Sequence, residues 1–188
     1  FDAETKKQKL DYISGNLRLR DSTIRWSEKL PPFKNLSADL VIKNAVFTAN
    51  VTNAQFGDSN VQHGNLTIFP VVGTEARQMN MSIVMKGTLA NAAEYAKKLG
   101  VRTLAGMDMS DVVASGEAEL ILEAAFPLEQ KVDALEAIKK LDASISNGSF
   151  KNLPSGIFIE DAELVMAFGD ETSDISGLAS FMLSLIHI

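Results

Sequence analysis

The sequence predicts a mainly β protein with short helices (α+β), in which antiparallel strands form a meander and one or two helices lie near the middle of the chain. Three observations support this prediction. Apolar and polar residues alternate with a period of two, short turn sequences separate the alternating runs, and one segment rich in Ala, Leu, Glu and Lys interrupts them. The chain has 188 residues, of which 46% are hydrophobic, so it is long enough to bury a core.

The alternating runs predict strands with one apolar face, because successive side chains of a strand point to opposite sides of the sheet. Polar residues such as Arg18, Lys43 and Asn50 fall between the apolar ones. The residues that we expect to share the apolar face are Leu17, Leu19, Ile24, Leu40, Ile42, Phe47, Val51, Leu66, Ile68, Met81, Ile83, Leu120, Leu122, Ile145, Ile157, Ile159, Leu164 and Met166.

Clusters of Gly, Asn, Asp, Ser and Pro predict the turns between these strands. They lie at 57–60, 63–65, 147–149, 154–156 and 169–170. Short strands joined by short turns are typical of an antiparallel meander.

Helical propensity is concentrated in the middle of the chain. The segment TLANAAEYAKKL at 88–99 places Leu and Ala on one side and is followed by Gly100, a residue that favours the position after a helix end. A second short helix is predicted at 107–115, with Asp108 or Ser110 as its N-cap. The segment KVDALEAIKKL at 131–141 is also helical by propensity, although strand pairing could override this preference.

One sequence pattern occurs twice, as KNLSADLVIKNAVF at 34–47 and as KNLPSGIFIEDAEL at 151–164. One interpretation is that any two strand–turn–strand segments share such features. The other is that two β-meander units are duplicated within one extended sheet. In both, Lys34-Asn35 and Lys151-Asn152 are expected in turns that return the chain to the sheet.

The composition argues against several classes of chemistry. A formal net charge of −6 disfavours binding to nucleic acid, and the absence of Cys excludes disulfides, thiol nucleophiles and Cys-ligated zinc. The two histidines are His63, in a Gly-adjacent turn, and His187, in the atypical tail, so we expect neither a His-pair metal site nor a Ser-His-Asp arrangement. We therefore predict no catalytic residue, no metal site, no cofactor and no enzymatic activity.

Several boundaries follow from these patterns. We expect an N-terminal flank at 1–14 and one domain at 15–181, made of two meander units at about 15–86 and 114–181 that a helical segment at 88–113 joins. The end of the chain, 182–188, departs from the alternating pattern, and its apolar run is too short to span a bilayer. Because the chain begins at Phe1, we expect it to be a fragment of a longer protein, with any membrane anchor outside it.

Four segments carry a resemblance to a known family. They are GNLRLRDSTIRWSEKLPPFKNLSADLVIKNAVFTANV, GTLANAAEYAKKLG, ASGEAELILEAAFPL and LDASISNGSFKNLPSGIFIEDAELVMAFGDETSDISGLASF, which together fall within residues 15–181. Their order of strand, Leu-Pro-Pro turn, helix, strand ending in Pro-Leu, and closing meander resembles segments of the AsmA-like family. The likeness is to its very large YhdP-type members, which are related to the TamB-like proteins.

The resemblance implies both a fold and a function. Members of the family are anchored in the inner membrane of diderm bacteria and extend through the periplasm as a curved open groove of repeated β-units. The resemblance implies that the groove shields phospholipid acyl chains on the way to the outer membrane and thereby supports the barrier of that membrane. The partners implied are therefore phospholipid acyl chains and neighbouring β-units of the parent chain, and the apolar-face residues named above become candidates for lipid binding.

An alternative fits the same residues. An apolar sheet face is commonly packed under helices into an ordinary core. The chain would then be a closed structural or scaffolding domain of a cell-envelope protein that binds no lipid.

Overall fold

The computed structural model describes residues 14–25, 30–74, 76–99, 103–104, 107–108, 111–128, 137–153, 156–169 and 173–183. Nine strands of this part form one sheet, in which every neighbouring pair is antiparallel. They are β1 (Ser14–Ile24), β2 (Phe33–Lys43), β3 (Val46–Phe56), β4 (Ser59–Pro70), β5 (Arg77–Thr88), β8 (Val113–Pro127), β9 (Ile138–Lys151), β10 (Ile157–Gly169) and β11 (Ser173–Leu183). Between β5 and β8 lie the helix α1 (Leu89–Leu99) and a small sheet of β6 (Thr103–Leu104) and β7 (Met107–Asp108).

The strand order in the large sheet follows the chain, β1-β2-β3-β4-β5-β8-β9-β10-β11, so the sheet is an open meander with β1 and β11 at its edges. The prediction of a mainly β, antiparallel meander is thus confirmed. The β2–β3 connection is a two-residue hairpin in which Asn44 and Ala45 have φ angles of 52° and 63°. Two positive φ angles are what a type I′ turn requires, and this turn matches the twist of the strands that it joins.

The predicted helix at 88–99 is confirmed as α1. Thr88 is the last residue of β5, and its hydroxyl oxygen accepts a hydrogen bond of 3.3 Å from the backbone N–H of Asn91. Thr88 is therefore the N-cap, and the first helical residue is Leu89. Gly100 lies outside the described residues.

The helix prediction at 107–115 is wrong where the structure describes the chain, and the prediction at 131–141 is wrong from residue 138 onward. Within 107–115, Met107–Asp108 forms β7 and residues 113–115 begin β8, so the segment joining the two halves of the sheet contains strands as well as α1. Within 131–141, Ala137 is helical and residues 138–141 begin β9, while 131–136 lie outside the described residues. Pairing of β8 with both β5 and β9 along most of its length overrides local helical propensity.

Two of the predicted turns are wrong because their residues lie inside strands. Residues 63–65 belong to β4 and 147–149 to β9. The registers shift near both places, and Asn147 has a φ angle of 51°. Asn147 therefore serves a β-bulge with the left-handed backbone that turns also use, whereas residues 63–65 have no positive φ.

The two copies of the repeated pattern fold differently. In the first, Lys34 and Asn35 lie inside β2 at a register shift rather than in a turn. In the second, Lys151 ends β9, Asn152 follows it, and the rest of the copy enters β10. Asn35 and Asn152 nevertheless share a positive φ, at 52° and 61°. The match thus reflects a common backbone need for Asn, and the duplication of whole units stays a prediction.

The C-terminal part extends the sheet further than expected. The strand β11 continues to Leu183, so 182 and 183 belong to the sheet and not to an atypical tail. Residues 1–13 and 184–188, including His187, lie outside the described part of the chain.

Candidate functional site

One side of the nine-stranded sheet carries continuous apolar rows, and we call this side the apolar face. Residues that pair directly across neighbouring strands point to the same side of a sheet. One such row runs through Leu19, Ala38, Val51, Gly64, Ile83, Leu122, Leu141 and Phe168. The adjacent row runs through Leu17, Leu40, Ala49, Leu66, Met81, Ala124 and Ile138. The apolar face is therefore continuous from β1 to β10.

The opposite side, the polar face, carries hydrogen-bonding rows. One of them runs through Arg18, Asp39, Asn50, Asn65, Ser82, Glu123 and Lys140. Arg18 Nε donates to Asp39 Oδ1 at 2.7 Å, and Asn65 Nδ2 donates to Asn50 Oδ1 at 2.8 Å. These bonds are exposed, so each contributes little to stability. Their position shows that this face of the sheet meets water.

The structure places the predicted apolar-face residues in three degrees of burial. Leu17 and Ile24 are exposed at 58% and 43%. Leu40, Ile83 and Ile145 are buried. The others are partly buried, namely Leu19, Ile42, Phe47, Val51, Leu66, Ile68, Met81, Leu120, Leu122, Ile157, Ile159, Leu164 and Met166.

Burial is concentrated at one end of the strands, which we call the α1 end. There Leu89 of α1 is buried with Ala114, Ala118 and Ile145 in one cluster. A second cluster at this end contains Leu30, Phe56 and Met85, with Tyr95 of α1 packed against it. The chain thus folds its core where α1 meets the sheet.

At the other end of the strands, which we call the open end, the larger apolar side chains keep partial exposure, whereas Ala124 and Ala137 are buried. A row of the apolar face there runs through Ile42, Phe47, Ile68, Met79 and Phe126, and each of them is partly buried. The helix α1 packs on β5 and β8 near the α1 end. Leu40 is buried instead by its neighbours Ala38 and Ala49 on the same face.

Several residues of the apolar face were missing from the predicted set, among them Phe126 and Leu141. Phe126 lies in the segment ILEAAFP at 121–127, where apolar residues occur on both faces of the strand, so the sequence shows no clear alternation of apolar and polar residues. Leu141 lies where helical propensity was high. Their cross-strand partners, Met79 for Phe126 and Leu122 for Leu141, reveal the face.

Polar and titratable side chains of the described residues lie mainly at the surface. The described residues contain no group of three or more His, Cys, Asp or Glu residues that could hold a metal ion, and His63 is exposed on β4. The hydrogen bond to the Asp142 carboxylate raises the pKa of Lys140, an exposed surface effect. A shallow cavity of about 210 Å³ lies over β1 and β2 beside Arg18, whose guanidinium already pairs with Asp39.

Comparisons with known proteins do not assign the chain. No family model, no curated protein and no solved structure matches it. Within the described residues, no helix is both long enough and apolar enough to cross a membrane.

Proposed function

We propose that this chain is a segment of a periplasm-spanning β-groove protein that shields phospholipid acyl chains during transport between the inner and outer membranes. The parent protein would be anchored in the inner membrane of a diderm bacterium and would support the outer-membrane barrier. The segment would act without enzymatic turnover. Its partners would be acyl chains and the neighbouring β-units of the same parent chain.

The observation that carries this proposal is the size of the apolar face relative to α1. Nine strands at a spacing of about 4.8 Å make a sheet about 38 Å across, and strands of 11 residues are about 36 Å long. The helix α1 has 11 residues, so it is about 16 Å long and about 10 Å wide. It therefore covers roughly one ninth of the apolar face by these dimensions.

The side chains of the apolar face suit a mobile ligand. Met79, Met81 and Met166 are flexible and polarizable, and they adapt to irregular apolar partners. Shielding one CH₂ group from water contributes about 0.8 kcal/mol, and this term needs no directional contact. An acyl chain can therefore lie across the strands while its headgroup stays in water.

The competing candidate is a closed structural domain. Burial of Leu40, Ile83 and Ile145 favours it, because these side chains already have the protein contacts of an ordinary core. The two candidates differ at the open end, where the closed domain needs a further layer of protein and the conduit needs lipid.

Photocrosslinking from the two faces separates these candidates. A photoreactive amino acid would be placed at Ile42 or Ile68 on the apolar face, with Val41 as the matched control. Val41 is 40% exposed, apolar and on the polar face of the same strand as Ile42. Irradiation in the periplasm of a diderm bacterium should give phospholipid adducts at Ile42 and Ile68 well above those at Val41 and at Lys43. Equal labelling at all four positions would exclude the conduit.

A further inference from the structure

The helix α1 is held to the sheet largely by small side chains. Leu89 is its buried anchor, and Ala92 and Ala93 contact the cluster that contains Ala118 and Ile145. An alanine contributes a single methyl group to such a contact, so this side of the helix buries little apolar area beyond Leu89. Beyond its first turn, α1 is held by these alanine contacts, by Tyr95 and by Lys97, whose Nζ donates a hydrogen bond of 3.0 Å to the backbone oxygen of Val112.

A second set of contacts joins α1 to the β3–β4 turn, and we call it the latch. The Tyr95 ring packs on Phe56 with centroids 5.1 Å apart, and the backbone N–H of Asp58 donates to the Tyr95 hydroxyl. Asn91 Nδ2 donates to Asp58 Oδ2 at 3.3 Å. Gly57 has a φ of 58°, and a Cβ there would collide with the Tyr95 hydroxyl. The turn is thus shaped to receive Tyr95.

The latch holds α1 over residues that continue the apolar face. Ile145 beneath α1 pairs with Leu164, which is partly buried on the same face. Phe56, which carries the Tyr95 ring, belongs to the cluster that reaches Ile83 in the middle of the sheet. Lifting α1 would therefore join the α1 end to the apolar face without changing any strand pairing.

We propose that α1 is a lid on the α1 end of the apolar face, and that the Tyr95–Asp58–Asn91 latch sets how often it opens. This inference rests on the proposed lipid-shielding function for its ligand. The open lid admits an acyl chain across the full length of the strands, whereas the closed lid confines the chain to the open end. The lid itself is a property of the fold and can be tested without lipid.

Locking the latch tests the inference. The chain has no Cys, so an Asp58→Cys, Asn91→Cys double variant can be joined by a short thiol-specific crosslinker and released by a reductant. The assay is uptake of pyrene-labelled phosphatidylethanolamine from vesicles of phosphatidylethanolamine and phosphatidylglycerol. We expect the locked form to take up the lipid at least about fivefold more slowly than the reduced form, since a lid gates access. The two single-Cys variants treated with the same reagent should not change.

Hydrogen exchange supplies the lipid-free readout. In the unlocked chain the amides of α1 should exchange faster than those of β4 and β9, and Tyr95→Phe should accelerate α1 alone. Equal uptake by the locked and reduced forms would overturn the lid while leaving lipid binding intact. If no form takes up lipid, the proposed function fails, and α1 amides that exchange only with global unfolding would then overturn the lid as well.

Discussion

Truncating two isoleucines on the same face should have very different costs, because one lies under α1 and the other at the open end. Ile145 is 1% exposed and packs in the cluster with Leu89 and Ala118. Ile145→Ala removes three carbons at about 0.8 kcal/mol each, and the cavity left in this cluster adds to that loss. The free energy of unfolding should therefore fall by about 3 kcal/mol.

The matching variant is Ile68→Ala. Ile68 is partly buried on the same face, and its row ends at the open end of the strands. Since water already reaches this side chain, its truncation should cost about 1 kcal/mol. Val165→Ala on the polar face, where Val165 is 56% exposed, should change stability by less than about 0.5 kcal/mol.

Equilibrium unfolding in urea, followed by circular dichroism, measures all three variants. The comparison concerns the proposed function as well as stability. If Ile68→Ala costs as much as Ile145→Ala, the open end is covered as thoroughly as the α1 end. The apolar face would then be an ordinary core, and the reasoning from its exposure would be refuted.

Three further changes test other features of the fold. Ala45 has a φ of 63° in the β2–β3 hairpin, and Ala45→Gly should raise the unfolding free energy by about 0.5–1 kcal/mol in urea, since left-handed Ala is costly; a loss would contradict the turn geometry. A Cβ on Gly148 would lie 2.7 Å from Ile145 Cγ2, so Gly148→Ala should lower the thermal midpoint by the equivalent of about 1–3 kcal/mol, and an unchanged midpoint would argue against this close approach. Burial raises the pKa of Tyr95 above its ordinary 10.0, so the unfolded chain loses this proton at a lower pH than the folded chain does. The stability that neutral Tyr95 contributes should be complete below about pH 10 and be lost as pH rises through the folded-state pKa. In Tyr95→Phe, the free energy of unfolding measured in urea should therefore depend less on pH in this range. An identical pH dependence in the variant would contradict this reasoning.

Local patterns predicted the strands and α1 because each is specified within a short window. Alternation around Leu40 and Ile42 places both on one face, and this placement does not depend on which strands pair with β2. The helix α1 is likewise specified locally, by the propensity of its own residues and by the N-cap Thr88. The bulges at Asn35 and Asn147 were predicted as turns, because a positive φ occurs in turns and in bulges alike. Which of the two forms depends on pairing with strands that are distant in sequence. Burial at the candidate site was also beyond local prediction, because it depends on where α1 packs.

The continuity of the apolar face also predicts how lipid binding should depend on acyl-chain length. A CH₂ group transferred from water to an apolar surface gains about 0.8 kcal/mol, whereas one transferred from a bilayer leaves one apolar environment for another and gains little. Binding of single-chain lipids from water below their micellar concentration should therefore tighten by about fourfold per added CH₂. Uptake from vesicles should depend weakly on chain length. A surface with continuous rows from Leu19 to Phe168 and no charged residue within them offers no position where the chain is trapped. Equal chain-length dependence from water and from vesicles would show that the face does not act as a continuous apolar solvent.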